Sequence, residues 1–135
     1  MTNVSKQKLN KKVEVDIFDY LTGLITSADT KTSKEICFAL LTPAERIMLA
    51  KRLSAIALLG SGVSRYRVAK TLHLSETTVS KYLEQLEGGM YTVIGTSLRK
   101  KEFDWKAFWE TVEKISRGGL PPMDGRRWQS LNSGR

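Results

Sequence analysis

From Val13 onward the apolar side chains recur with helical spacing. Val13, Ile17, Leu21 and Leu24 fall at i, i+4, i+8 and i+11, and Phe18 and Ile25 widen the stripe. A second, short helix is expected from Thr32, where Thr-Ser-Lys-Glu offers a capping box closed by Glu35; it runs through the apolar Ile36 to Leu41. The clearest start signal comes next: Thr42 as cap, Pro43 at the first helical position, and Glu45 placed to reach back to the cap's amide. The helix it opens holds Ile47, Met48, Leu49, Ala50, Leu53, Ile56, Ala57, Leu58 and Leu59, too many for a single stripe. It is therefore expected to be a central strut about 26 Å long, covered on most sides, in part by a second copy of the chain.

Gly60 and Gly62 end that helix, and two short helical segments follow in residues 64–86. Gly88 and Gly89 break the pattern, and residues 90–98 (MYTVIGTSL) allow either a short strand or a poor helix. A last helix is capped by Asp104 and carries Trp105, Phe108, Trp109, Val112 and Ile115 on one face. The ends lack periodicity. Residues 1–12, with Lys6, Lys8, Lys11 and Lys12, read as a flexible basic arm, and residues 118–135, with Arg126, Arg127 and Trp128, as an extended basic tail. Residues 13–117 are the expected helical domain.

Charge changes the picture from a helical domain to one with a polyanionic partner. Of 135 residues, 22 are Lys or Arg and 14 Asp or Glu, a net charge of +8, which favours nucleic acid first. No run approaches the ~18 apolar residues a membrane span requires, so no membrane partner is expected. The basic start lacks the apolar run of a signal peptide. The single cysteine, Cys37, lies in an apolar stretch and reads as a small core residue, which suits a reducing cytoplasm. One His and one Cys starve every zinc-finger, Ser-His-Asp or Cys-His arrangement, and no phosphate-cradling glycine loop occurs. Neither an enzyme nor a metal site is expected.

The informative stretch is residues 64–86, SRYRVAKTLHLSETTVSKYLEQL. Ser64 caps a first helix that buries Val68, Ala69 and Leu72; a turn at His73–Leu74 leads to Ser75, which caps a second helix with Val79 and Leu83 inward and Tyr82 at its flank. Two short helices crossing steeply need a small side chain where they touch, here Ala69, and apolar residues bracketing the turn, here Leu72 and Leu74. The pattern is a helix-turn-helix. Glu76, Thr77, Thr78, Ser80 and Lys81 are left outward near the start of the second helix, where short hydroxyls and a cation suit base edges in a major groove. Ser64, Arg65, Arg67, Lys70 and Ser75 are placed for the DNA backbone, contacts that position without reading sequence. The turn position that most needs positive φ holds His73 rather than Gly.

Over about residues 35–87 the chain resembles the Trp repressor-like transcription factors, most specifically in LLTPAERIMLAKRL (residues 40–53), which feeds the helix-turn-helix. The resemblance implies an all-α, multi-helix, intertwined homodimer whose two reading heads enter successive major grooves. It also implies an effector pocket at Thr42, Arg52, Lys81 and Gln85. In that family an indole lies between two arginines; the first aligns with Arg52, but Lys81 stands at the second position and offers no flat guanidinium face. No cofactor is therefore expected, and neither tryptophan nor another small-molecule corepressor.

Together these readings predict a cytoplasmic, homodimeric, sequence-specific regulator of transcription, a repressor, that binds double-stranded DNA. Two alternatives stand beside it. In one, residues 89–98 form the hairpin of a winged helix; in the other, the chain is a helical accessory or interaction module without catalysis of its own.

Overall fold

A computed structural model describes residues 8–115, and in that range every regular element is an α-helix. The order is α1 (Lys11–Ser27), α2 (Thr30–Leu40), α3 (Pro43–Gly60), α4 (Arg65–Leu72), α5 (Glu76–Glu87), α6 (Thr92–Leu98) and α7 (Trp105–Glu113). Contacts divide the chain into two units, one through Leu49 and one from Ala50, so α3 gives its first turns to one and the rest to the other. No helix among the described residues is long and apolar enough to cross a membrane.

In the first unit α1 packs against α2. Asn10 caps α1 by accepting from the Lys12 amide at 2.8 Å, so Lys11 and Lys12 are helical rather than part of a flexible arm. Residues 8–10 of the predicted arm are exposed and non-helical, and residues 1–7 lie outside the described residues, as does the tail at 118–135. α2 begins two residues earlier than the Thr32 capping box predicts. Asp29 caps it through a 2.7 Å bond from the Thr32 amide, and a carboxylate suits the positive end of a helix better than a hydroxyl does. That bond from Thr32 also holds the Asp29 carboxyl below its ordinary range. The capping box that opens α3 forms as its residues predict: the Thr42 amide donates to Glu45 Oε1 at 2.9 Å and the Glu45 amide to Thr42 Oγ1 at 3.2 Å. Arg46 reaches back to α2, donating through Nε and Nη2 to the Phe38 carbonyl, with its guanidinium 4.8 Å from the Phe38 ring centroid.

The apolar stripe of α1 has the predicted spacing but is not buried. Leu21 and Ile25 are half-covered, whereas Ile17 is 51% exposed, Phe18 59% and Leu24 56%. Cys37, expected in a core, is half-buried. On α3 the same contrast runs along one helix: Ile47, Met48 and Leu49 are exposed, and residues 54–60 are buried.

The second unit holds the core. Ile56, Leu58 and Leu59 of α3 are fully buried with Val68 and Leu72 of α4, Val79 of α5 and Val112 of α7. Each such side chain contributes roughly 1.5–3 kcal/mol relative to exposure. Leu98 of α6 and Trp109 of α7 close the cluster, with Phe103, Trp105 and Phe108 packed around it in edge-on and tilted ring contacts 5.3–6.3 Å apart. Asp104 caps α7 as its position predicts, accepting from the Ala107 amide at 3.0 Å. Ile115, placed by spacing on the same face, is exposed.

Residues 92–98 are helical. The hairpin a winged helix requires is therefore absent from the segment that would have supplied it. The β-branched residues there, Thr92, Val93 and Ile94, yield to tertiary packing: Gly95 and Leu98 are buried and Ile94 packs against the core.

Candidate nucleic-acid interface

α4 and α5 form the helix-turn-helix that residues 64–86 predict, and they pack directly on each other. Ser64 Oγ accepts from the Arg67 amide at 3.3 Å to start α4, and Ser75 Oγ accepts from the Thr78 amide at 3.1 Å to start α5. Val68, Ala69, Leu72 and Val79 are buried where the helices meet, with Leu74 packed against them. The turn residue His73 has φ 55° and ψ 48°, the left-handed conformation. Its amide and that of Leu74 both donate to the Ala69 carbonyl, and Lys51 Nζ of α3 donates to the His73 carbonyl at 3.3 Å.

The predicted reading residues divide into two groups. Glu76, Thr77 and Lys81 are exposed on the first turns of α5. Glu76 in the first turn also suits the positive end of the helix. Thr78 and Ser80, expected outward, are half-buried and already engaged. The Ser75 hydroxyl donates to Thr78 Oγ1 at 2.8 Å, and Arg65 Nη1 donates to Ser80 Oγ at 3.3 Å. In both contacts the Thr78 and Ser80 oxygens accept, so each hydroxyl keeps its proton to donate, with its orientation set by the contact it already makes.

The residues placed for the backbone, Ser64, Arg65, Arg67, Lys70 and Ser75, are all exposed. Lys70 Nζ lies 5.7 Å from the ring centroid of Tyr66, itself 58% exposed. Tyr66 was absent from the predicted interface although the signal was present: it falls outside the buried register of Val68, Ala69 and Leu72 and is flanked by Arg65 and Arg67. An exposed aromatic ring amid three cations has the chemistry for a stacking or sugar contact, as the cations have for phosphate.

Of the four residues aligned with an effector pocket, Thr42 is the cap of α3 in the first unit, and Lys81 is exposed on α5. Arg52 and Gln85 instead meet tyrosines. The Arg52 guanidinium lies 6.0 Å from the Tyr82 ring centroid, and Tyr91 donates its hydroxyl proton to Gln85 Oε1 at 2.5 Å. Arg52 is held charged above its ordinary range, first by hydrogen bonding to Tyr82, with desolvation opposing. Burial pushes the Tyr91 hydroxyl up, against the charge of Arg52. Neither tyrosine was assigned a role by sequence beyond the flank position of Tyr82. Among the described residues no group of His, Cys, Asp or Glu is placed to hold a metal ion.

Compared with known proteins, the chain matches no family model, no curated protein and no solved structure.

Proposed function

We propose that the chain is a Trp repressor-like, sequence-specific double-stranded DNA-binding regulator that represses transcription as a homodimer. The observation that carries the reading is the helix pair itself. A second helix starts at a Ser cap and presents Glu76, Thr77 and Lys81 to solvent, beside a first helix lined by Arg65, Arg67 and Lys70. In that arrangement the start of α5 enters the major groove, where hydroxyls and methyls meet base edges and the helix N-terminus favours a phosphate. α4 crosses the backbone, and its cations supply affinity that depends on salt rather than on sequence.

The apolar residues left uncovered on α1 and on the first turns of α3 support the dimer. A stripe containing Ile17, Phe18 and Leu24, with Ile47 and Leu49, exceeds the scattered apolar exposure usual on a monomer's surface. A second copy, intertwined through these helices, covers both sets at once and pairs two reading heads.

Selection of binding sites from a pool of random duplexes tests the reading. The expected product is a two-fold symmetric site with half-sites centred about one helical turn, roughly 34–36 Å, apart. A lone half-site would refute the paired heads. Failure to enrich any duplex at low salt would refute the function and leave the helical accessory module as the better account.

A further inference from the structure

The reading helix α5 is fully buried against the core only at Val79 and Leu86, with Leu83 and Tyr82 half-buried against it between them. Two anchors along the axis resist rocking of the helix but restrain its roll about the line that joins them only weakly. Two contacts off that line supply the missing restraint. On one, the guanidinium of Arg52 faces the Tyr82 ring at 6.0 Å; Arg52 is carried by α3, which is anchored by the fully buried Ile56, Leu58 and Leu59. On the other, Tyr91, at the start of α6, donates to the side chain of Gln85.

We propose that Arg52, Tyr82, Gln85 and Tyr91 form a clamp that sets the angle at which α5 is presented to DNA, making these four positioning residues for site selectivity. This rests on the reading of α5 as the DNA-reading helix. The clamp grips the later turns of α5, while the base-reading positions lie on its first turns. Thr77 lies on the side of α5 opposite Val79, about 10 Å across the helix. A roll of about 6° about the anchored line therefore displaces the Thr77 hydroxyl by about 1 Å, enough to take a 2.8 Å hydrogen bond out of range. Phosphate contacts from the long, flexible Arg65, Arg67 and Lys70 follow such a shift. The clamp thus acts on selectivity and spares non-specific affinity. Its chemistry is specific to its residues: a guanidinium can lie flat on a ring where an ammonium acts as a point charge, and the Tyr91 hydroxyl is a donor to Gln85.

The test uses the full chain and four single variants, Arg52→Lys, Tyr82→Leu, Tyr82→Phe and Tyr91→Phe, with the double variant R52K/Y82L. Affinity is measured for the duplex recovered by selection and for a random duplex, after thermal melts have fixed the folded fraction. A cation–ring contact of this geometry corresponds to an affinity change of about 3- to 5-fold. Arg52→Lys and Tyr82→Leu are expected to weaken the selected site by about that factor, and Tyr91→Phe by a similar one, with random duplex held within about 2-fold. Tyr82→Phe, which keeps the ring, should lose less than Tyr82→Leu, and the double variant should be no worse than Tyr82→Leu alone. Parallel losses on both duplexes, or additive losses in the double variant, overturn the clamp. If the unaltered chain selects a site and the variants keep its full selectivity, the clamp alone falls. If the unaltered chain selects none, the DNA reading falls and the clamp with it.

Discussion

His73 is where the helix-turn-helix stores backbone strain, and replacing it tests whether the turn is built as described. The residue sits at φ 55°, ψ 48°, is exposed, and contributes its amide to the Ala69 carbonyl and its own carbonyl to Lys51. None of these contacts uses the imidazole. A side chain bearing Cβ in the left-handed region costs roughly 1–2 kcal/mol, which glycine avoids. Glycine in turn has more freedom to lose on folding, about 0.5–1 kcal/mol. The difference makes His73→Gly stabilising by about 0.5–1 kcal/mol, an increase in Tm of roughly 2–4 °C for a domain of this size. His73→Val reverses the sign, because a β-branched residue tolerates that region least; a loss of about 1–2 kcal/mol is expected. Thermal melts by circular dichroism measure both, and duplex affinity should change less than 2-fold in the Gly variant because the backbone path is kept. A lower Tm for His73→Gly, or an unchanged one for His73→Val, would refute the left-handed turn.

Other expectations follow from single contacts. Lys70→Ala should weaken binding to every duplex alike and reduce the slope of log affinity against log salt by about 1, read from titrations at several salt concentrations. Thr77→Ala, at an exposed reading position, should cost about 1 kcal/mol on the selected duplex and little on random sequence. Ser61 Oγ is buried without a hydrogen-bond partner, so Ser61→Ala is expected to raise stability by about 1 kcal/mol in a denaturant titration. Asp29 adds a pH dependence. Its folded carboxyl titrates below the ordinary 3.8, so its contribution is present above that value and is lost as pH falls through the lower, folded one. Asp29→Asn should flatten that acid limb in melts taken across the range.

The parts of the fold legible in sequence are those that local chemistry fixes. The caps Thr42, Ser64, Ser75 and Asp104 act through bonds spanning three residues, and each start they mark is a start in the structure. The buried set of the helix-turn-helix was legible for a related reason: two short helices joined by a tight turn have few ways to bury Val68, Ala69, Leu72 and Val79 together. Residues 90–98 were not legible, because β-branched composition and a helical outcome compete, and long-range packing of Gly95 and Leu98 decides. Asp29 outdid the Thr32 box for a simpler reason, since two valid caps lay within one turn. Contacts between elements distant in sequence left no local signal: Lys51 on the His73 carbonyl, Arg52 on Tyr82, and Arg65 on Ser80 span 15–30 residues.

Periodicity reports that a face is apolar and is silent about what covers it. In α4, α5 and α7 the apolar faces meet α3 within one chain, and the same spacing rule that found them located the core. In α1 the rule was equally well satisfied, yet Ile17, Phe18 and Leu24 remain more than half exposed. The two outcomes separate a unit with a closed core from a segment whose apolar face has no cover among the described residues. For a DNA reader that division has a use. In the proposed dimer, a head with its own closed core keeps the geometry of α5 independent of assembly, while α1 and the first turns of α3 set how many heads act together. On the proposed reading, selectivity depends on the clamp around Arg52 and site length on the pairing of α1 and α3, so variants of the two should change different properties of the selected duplex.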